Sequence, residues 1–206
     1  MWTTRLSAFT LVLFSLGEPA QAEDVSTNPQ SAPDGTYELD KNHTRVVFMC
    51  SHFGLTEYIA FMQGVEGSLE WNGAQPENGR VSVTIDSGGA MTGLANFDQQ
   101  LDGPDWFDAA NNPTITFKST KVEKTGATTG LITGNLTVRG ITKPITLTVT
   151  FNGGRSHPLK PSAYALGFVA TGTAKRSDYG MTKLMSVGIG DDVKLLIHAE
   201  FIRDSE

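Results

Sequence analysis

The sequence predicts an all-β fold, an eight-stranded antiparallel barrel with a short helical insertion between the third and fourth strands. Runs rich in β-branched and aromatic residues recur at short spacing, several alternate apolar with polar residues, and the segments between them contain turn residues. The predicted strands span residues 44–51, 58–70, 80–86, 114–124, 130–138, 141–152, 165–177 and 193–201. Because closing the sheet removes its exposed edges, we predict a barrel, with a two-sheet sandwich as the alternative.

Local patterns support each of these elements. Residues 80–86 read RVSVTID and residues 145–151 read ITLTVTF, so each of these strands has one apolar face, which is expected to point into the barrel. The separators Asn72-Gly73, Arg139-Gly140 and Asn152-Gly153-Gly154 contain residues that tolerate a positive φ angle and are typical of tight turns. We therefore predict a meander of hairpins.

One helical segment interrupts the strands. Residues 94–101, with an extension to residue 107, place Leu94, Phe97 and Leu101 on one side at helical spacing. Trp106 and Phe107 are expected to join the same apolar cluster.

The first 22 residues have the pattern of a secretory signal peptide. Arg5 supplies a positive charge, residues 6–16 are mostly apolar, and Ala20-Gln21-Ala22 forms a small-x-small cleavage site. We expect export to the periplasm. Residues 23–35 are polar and lack periodicity, which predicts a flexible leader, and residues 36–203 form the single predicted domain.

Charge and hydropathy exclude several classes of partner. The formal net charge is −6 and the chain has no run of five basic residues, which opposes binding to nucleic acid or to an anionic membrane surface. No segment approaches the run of about 18 apolar residues that a membrane-spanning helix needs, so we expect no stable membrane insertion. The predicted partner is an apolar or neutral molecule, or another protein.

The sequence shows little sign of catalytic chemistry. It contains no Gly-x-Ser-x-Gly nucleophile motif, no phosphate-binding loop and no dinucleotide-binding glycine motif, so we predict neither an enzymatic activity nor a cofactor. Cys50 and His52 lie two residues apart, and a distant third ligand would complete a metal site. A metal- or haem-linked redox protein is therefore an alternative. A lone buried cysteine, however, more often packs as a small apolar residue, and we predict no metal ligands.

Several segments resemble the YceI-like proteins. The opening of that family is similar to YELD at residues 37–40, HT at 43–44 and FMCSHFGL at 48–55. Its later motifs are similar to WFD at 106–108, NPTITFKST at 112–120, TGNLTVRGITKPI at 133–145 and KRSDYGM at 175–181. The resemblance spans about residues 36–201. It implies a lipocalin-like barrel whose apolar tunnel holds a polyisoprenoid chain or a related amphiphile; many members are periplasmic and some pair as homodimers.

The helical segment departs from the family pattern. Where the family typically reads Arg-Asp-x-His-Leu, residues 97–101 read FDQQL, which keeps Asp98 and Leu101 and lacks the arginine and the histidine. Ala60 also stands where many members have glycine. If the missing groups contact a ligand head group in the family, this chain prefers a less polar head group or braces the mouth of the tunnel differently.

Strand phase and the resemblance together predict a ligand-binding wall. Burial of an isoprenoid chain gains about 25 cal/mol for each Å² of apolar surface, and few polar groups are needed to orient it. The residues predicted to line the tunnel are Phe48, Cys50, Phe61, Val83, Ile85, Phe117, Leu136, Leu147 and Phe168. Those predicted near its mouth are Phe97, Leu101, Trp106 and Met185. A one-residue slip in register would exchange these residues for their neighbours.

The leading hypothesis is therefore a periplasmic carrier, without catalysis, for a long-chain isoprenoid or a quinone-like lipid such as a prenyl quinone. The alternative is an interaction scaffold in which residues 158–161 and 180–190 form loops that dock a partner protein. The sequence alone does not separate these two hypotheses.

Overall fold

A computed structural model describes residues 24–204 of the chain. These residues contain eleven β-strands, one α-helix and four short 3-10 segments. The strands are β1 (Gly35–Leu39), β2 (Arg45–His52), β3 (Thr56–Met62), β4 (Val65–Trp71), β5 (Arg80–Asp86), β6 (Ala90–Met91), β7 (Thr114–Lys124), β8 (Thr129–Val138), β9 (Ile141–His157), β10 (Lys160–Lys175) and β11 (Ile189–Asp204). The helix, α1, spans Ala95–Leu101.

The strands form a closed antiparallel barrel with eight strand positions around the ring. We call each position a stave; some staves consist of two consecutive strands. Around the ring the order is β1, β4, β5, β7, β8, β9, β10 and β11, and the pairing of β11 with β1 closes the barrel. Three staves are interrupted, because β2 continues β1 along the edge of β11, β3 precedes β4 in the second stave, and β6 continues β5. The predicted eight-stranded barrel with one helical insertion is confirmed.

The second stave differs from its predicted form. The run 58–70 was expected to be continuous, but Gln63 and Gly64 separate β3 from β4. Gly64 has φ +63°, and a Cβ at this position would lie 2.7 Å from Cβ of Asp86. The backbone therefore needs glycine here, and the interruption shifts the phase of inward-facing residues by one position along the stave.

One predicted turn is confirmed and another is wrong. Arg139 and Gly140 both have positive φ, 53° and 71°, and join β8 to β9 by a two-residue hairpin of the type I′ kind. Asn152 and Gly153, by contrast, lie inside β9. The register there shifts opposite Phe168, which makes Asn152 the extra residue of a β-bulge.

The predicted signal peptide, residues 1–22, lies outside the described residues. Part of the predicted flexible leader is packed against the barrel. Ser26 forms a β-bridge with Gly154, Asn28 caps a 3-10 turn at Pro29–Ser31, and Ala32 is 5% exposed. Contacts with the barrel thus begin before the predicted domain start at residue 36.

The barrel interior is apolar at both ends. One buried cluster joins Val46, Leu101, Ile115, Val138 and Tyr179 beneath α1. A second cluster lies at the opposite end and contains Tyr37, Leu69, Trp71, Phe151, Leu166 and Phe201. Within residues 24–204 no helix is long and apolar enough to cross a membrane.

Candidate functional site

A cavity of about 620 Å³ runs along the barrel between the two clusters. This volume is within the range of about 300–1,000 Å³ that is usual for small-molecule sites. Most of its lining side chains are aliphatic or aromatic and come from every stave of the barrel. The lining residues that carry polar groups are Thr44, Cys50, Ser51, His52, Tyr58, Trp106, Arg176 and Tyr179.

The mouth of the cavity lies beside α1. Leu94 and Leu184 both line the cavity and are 61% and 47% exposed, so they mark the place where the interior meets solvent. Leu94 immediately precedes α1, and Leu184 belongs to the segment between β10 and β11. The cavity therefore opens between the helix and this segment.

Aromatic rings surround the cavity just inside the mouth. We call Phe48, Tyr58, Phe97, Trp106 and Phe107 the aromatic collar. Ring centroids are 5.2 Å apart for Tyr58 and Phe97, 6.3 Å for Phe97 and Trp106, and 5.9 Å for Phe48 and Phe107. All three pairs meet edge to face, which is a favourable arrangement for aromatic rings. Because the collar joins residues from β2, β3 and the helical insertion, it is assembled only in the folded barrel.

Hydrogen bonds fix the insertion that carries three of the five collar residues. Asp98 Oδ1 accepts from the backbone N–H of Thr92 at 2.6 Å and from its hydroxyl at 2.5 Å, which ties the first turn of α1 to the preceding loop. The guanidinium of Arg139 donates to the carbonyl oxygens of Pro104 and Trp106. The positive-φ hairpin that places Arg139 therefore also holds Trp106 over the cavity.

Arg176 organises the other side of the mouth. It is 3% exposed, and its guanidinium donates to the carbonyl oxygens of Gly190 at 2.7 Å, Lys183 at 2.8 Å, Met181 at 2.9 Å and Ile189 at 3.1 Å. Four of the five N–H donors of arginine are thus used by backbone. The guanidinium carbon also lies 5.6 Å from the centroid of the Trp106 ring, within cation–π range.

Among residues 24–204, no third potential ligand joins Cys50 and His52, the pair considered as an alternative metal site. The Cys50 thiol donates to the carbonyl oxygen of Gly190 at 3.1 Å, and burial raises the pKa of this thiol. Among the described residues, the one group of three potential metal ligands is Asp40, His43 and Glu200, on the outside of the barrel. The His43 ring is hydrogen-bonded to Asp40 at 2.6 Å in that group, which stabilises the turn between β1 and β2.

An aromatic floor, formed by Trp71, Phe151, Phe168 and Phe201, closes the cavity at the end away from the mouth. The Trp71 centroid lies 5.4 Å from that of Phe151 and 5.8 Å from that of Phe168. Phe168 also lies 5.3 Å from Phe151 and 6.0 Å from Phe201. The cavity is therefore aromatic at both ends and mainly aliphatic between them.

With this geometry established, comparison with known proteins identifies the family. Residues 37–201 match the sequence profile of the YceI-like domain. The chain belongs to the YceI-like family. A UPF0312 protein of Ectopseudomonas mendocina is 33% identical over 169 residues, which cover 81% of this chain and 87% of the relative.

Solved structures share the YceI-like barrel. BcnA of Burkholderia cenocepacia superposes with a TM-score of 0.69 at 21% sequence identity, covering 79% of this chain and 98% of BcnA. A polyisoprenoid binding domain from Saccharophagus degradans superposes with a TM-score of 0.60 at 13% identity, covering 82% of this chain and 98% of that domain. At these identities the superpositions establish a common fold.

Eleven of the thirteen predicted site residues line the cavity of this YceI-like barrel, whereas Phe61 and Met185 do not. Phe61 is 46% exposed, and its neighbour Met62 lines the cavity instead. The prediction was wrong because it assumed an unbroken strand through Gly64. Leu184 replaces Met185 at the mouth, and since this segment is not a strand, no periodicity indicated which residue faces inward.

Sequence reasoning missed the roles of Tyr58 and Arg176, and it predicted Phe107 only as a member of the apolar cluster of the helical segment. Tyr58 is inward-facing in β3 through the same phase shift that misplaced Phe61. Arg176 was noted as part of a family motif, but three of its four carbonyl partners, on Lys183, Ile189 and Gly190, lie beyond the motif in the chain, so no local signal indicated its burial.

The structure shows where the residues of α1 that differ from the family pattern lie. Phe97 stands where the family typically has arginine, and it contributes a ring to the collar. Gln100 stands where the family typically has histidine; it is exposed and does not line the cavity. Asp98, which this chain shares with the family pattern, stabilises the start of the helix by accepting a hydrogen bond from Thr92. The mouth of this YceI-like barrel is thus more apolar than the family pattern implies.

Proposed function

We propose that this protein is a periplasmic binding protein that holds a polyisoprenoid lipid, such as a prenyl quinone, in the barrel without chemically changing it. The observation that carries this proposal is the apolar cavity of about 620 Å³ between the collar and the floor. A flexible hydrocarbon chain fits such a space, because its burial is driven by apolar area rather than by directed polar contacts. The polyisoprenoid-binding domain from Saccharophagus degradans, which shares this fold, supports the proposal.

The collar favours a flat, uncharged head group. Tyr58, Phe97 and Trp106 present rings at the mouth, and Phe97 replaces a cation of the family pattern. A quinone ring packs well against aromatic edges, whereas a phosphate or carboxylate would lose its hydration without gaining a free cation. Arg176 does not supply that cation, since backbone carbonyls occupy four of its donors. We therefore place the head group in the collar and the isoprenoid tail towards the floor.

Binding rather than catalysis is supported by the polar groups of the cavity. Burial raises the pKa of the Cys50 thiol, and burial raises the pKa of the Tyr179 phenol to about 12. Both groups are therefore protonated near neutral pH and are poor nucleophiles or bases. We expect the lipid to leave the protein chemically unchanged.

The first test is lipid recovery. The full chain, expressed with residues 1–22 in a Gram-negative host, is expected in the periplasmic fraction. Its intact mass is expected to be that of a chain that begins at Glu23. Native mass spectrometry is expected to show one bound lipid, which extraction then identifies as an isoprenoid. A protein that is recovered empty and that also refuses added prenyl quinone would refute the binding function; recovery in the cytoplasm with residues 1–22 retained would refute the location.

The second test separates head-group recognition from tail burial. We compare a prenyl quinone with a prenyl alcohol of the same tail, using isothermal titration calorimetry, which reads the binding of both ligands. Phe97→Ala removes a collar ring and is expected to weaken quinone binding about three- to tenfold, with less effect on the alcohol. The matched control is Phe61→Ala, because Phe61 is exposed and outside the cavity. Equal losses for both ligands would refute quinone recognition by the collar while leaving lipid binding intact.

A further inference from the structure

A second, smaller cavity of about 90 Å³ lies directly beyond the aromatic floor. Trp71 and Phe151 line only this chamber, together with the loops at the end of the barrel away from the mouth. Five residues line both spaces, and they are Leu69, Val81, Ile132, Val149 and Phe168. The two cavities are therefore neighbours that share part of their walls, and Phe168 is one of the shared residues.

The floor spans the full width of the barrel. Trp71 lies on β4 and Phe151 on β9, and these strands are four positions apart in either direction around the ring of eight. Their rings nevertheless lie 5.4 Å apart, so the two side chains meet across the lumen from opposite walls. Phe168, on β10 beside β9, packs against both rings at 5.8 and 5.3 Å.

The β-bulge in β9 creates this arrangement. Gly154 pairs with Leu166, which is fully buried and faces inward. Simple alternation would then turn Asn152 inward, but the extra residue leaves Asn152 exposed and pairs Phe151 with Phe168. Bulges re-aim side chains in this way, and here the result is an aromatic pair in place of an amide.

Phe168 is the floor residue that separates the two cavities, because it lines both of them, whereas Phe201 lines only the main cavity. Of the three rings that cross the lumen, it alone lines the main cavity, while Trp71 and Phe151 lie behind it. We infer that Phe168 is the chain-length stop of the lipid site and that the chamber behind it is an unused extension subsite for the tail of a longer isoprenoid. This inference rests on the proposed function, in which the tail points towards the floor.

Affinity should rise with tail length up to a certain length and then stop rising. We call this length the break. Each added five-carbon unit that is buried should tighten binding by about tenfold, at the efficiency usual for ligands of this size. Once the tail reaches Phe168, further units should add nothing, because they would project from the mouth. Phe168→Ala joins the two cavities and should move the break to a tail at least one unit longer.

The experiment titrates a homologous series of prenyl alcohols, from farnesol to solanesol, against the wild-type protein and two floor variants. Phe168→Leu accompanies Phe168→Ala, because leucine keeps more of the packing if the alanine variant does not fold, and it should move the break by a smaller amount. Phe48→Ala is the matched control, since it deletes the same ring at the collar and should leave the break unchanged.

The outcomes distinguish the inference from the function on which it rests. If the wild-type protein binds no prenyl alcohol, the proposed function fails. If it binds the series without a break, or with a break that folded Phe168 variants leave in place, Phe168 is not the stop and the binding function stands. A break that moves in the Phe48 variant as much as in the Phe168 variants also overturns the inference.

Discussion

Replacing Arg176 by methionine should destabilise the barrel more than any other single exchange of a charged residue at its mouth. The change removes a guanidinium that is 3% exposed and leaves the carbonyl oxygens of Met181, Lys183 and Ile189 without this donor, while the Gly190 carbonyl keeps the Cys50 thiol. A buried polar group that loses its partner costs about 1–3 kcal/mol. Three such groups would give a large sum, but methionine also removes the desolvation penalty of a buried cation, and water can reach some carbonyls.

We therefore expect a net loss of about 3–5 kcal/mol, a large share of the stability of about 5–15 kcal/mol that is usual for a domain. Urea unfolding followed by circular dichroism measures this loss. The free energy of unfolding of Arg176→Lys should lie between those of the wild type and Arg176→Met, because an ammonium group has fewer donors than a guanidinium and lacks its planar geometry. Arg80→Met is the control, since Arg80 is exposed although it donates to the carbonyls of Asn78 and Gly79. A loss below about 1 kcal/mol for Arg176→Met would refute the idea that these four bonds hold the mouth.

Two further predictions concern Gly134 in the barrel wall and the turn between β1 and β2 that contains Asp40 and His43. Gly134→Ala would place a Cβ 2.3 Å from Phe117 and 2.7 Å from a backbone oxygen, so we expect a loss of about 1–3 kcal/mol in urea unfolding; unchanged stability would show that the wall can spread. The pKa of His43 is raised because it is hydrogen-bonded to Asp40, while the pKa of Asp40 is lowered because hydrogen bonds from His43 and Asn42 outweigh the effect of burial. The pair therefore stabilises the fold above the ordinary Asp pKa of 3.8 and below the ordinary His pKa of 6.5; its contribution is lost as pH rises through the folded His43 pKa or falls through the folded Asp40 pKa. The stability difference between wild type and His43→Gln should accordingly shrink between about pH 5 and pH 8, and a constant difference over this interval would contradict the assignment.

Local signals predicted most of the strands because they depend on neighbours in the chain. Alternation placed β5 and β7 with correct bounds, and the Arg139-Gly140 pair indicated its hairpin since only residues that tolerate positive φ fit a type I′ turn. The glycines of residues 153–154 carried the same signal and were misread, because a bulge and a turn use glycine for the same conformational reason.

Side-chain direction was harder to predict than strand position. A single interruption at Gly64 reversed the phase of β3, so Phe61 faces outward and Tyr58 and Met62 face the cavity. Sequence periodicity contains no warning of such a shift, since glycine within a strand is compatible with several local geometries. The interior contacts of Arg176 were likewise invisible, because its partners are backbone carbonyls, which every residue possesses.

The sequence by itself determined that the chain is an antiparallel all-β protein whose strands have one apolar face and that it carries the motifs of the YceI-like family, because periodicity, turn chemistry and motifs are properties of short segments. It predicted a closed barrel and left a two-sheet sandwich as the alternative. Only the tertiary structure decided that the interior is a cavity with a mouth, a collar and a floor. The floor depends on rings from opposite walls, Trp71 and Phe151, which meet only when the register of all eight staves and one bulge are set. That register is a sum of non-local pairings, so no segment of the chain encodes it alone.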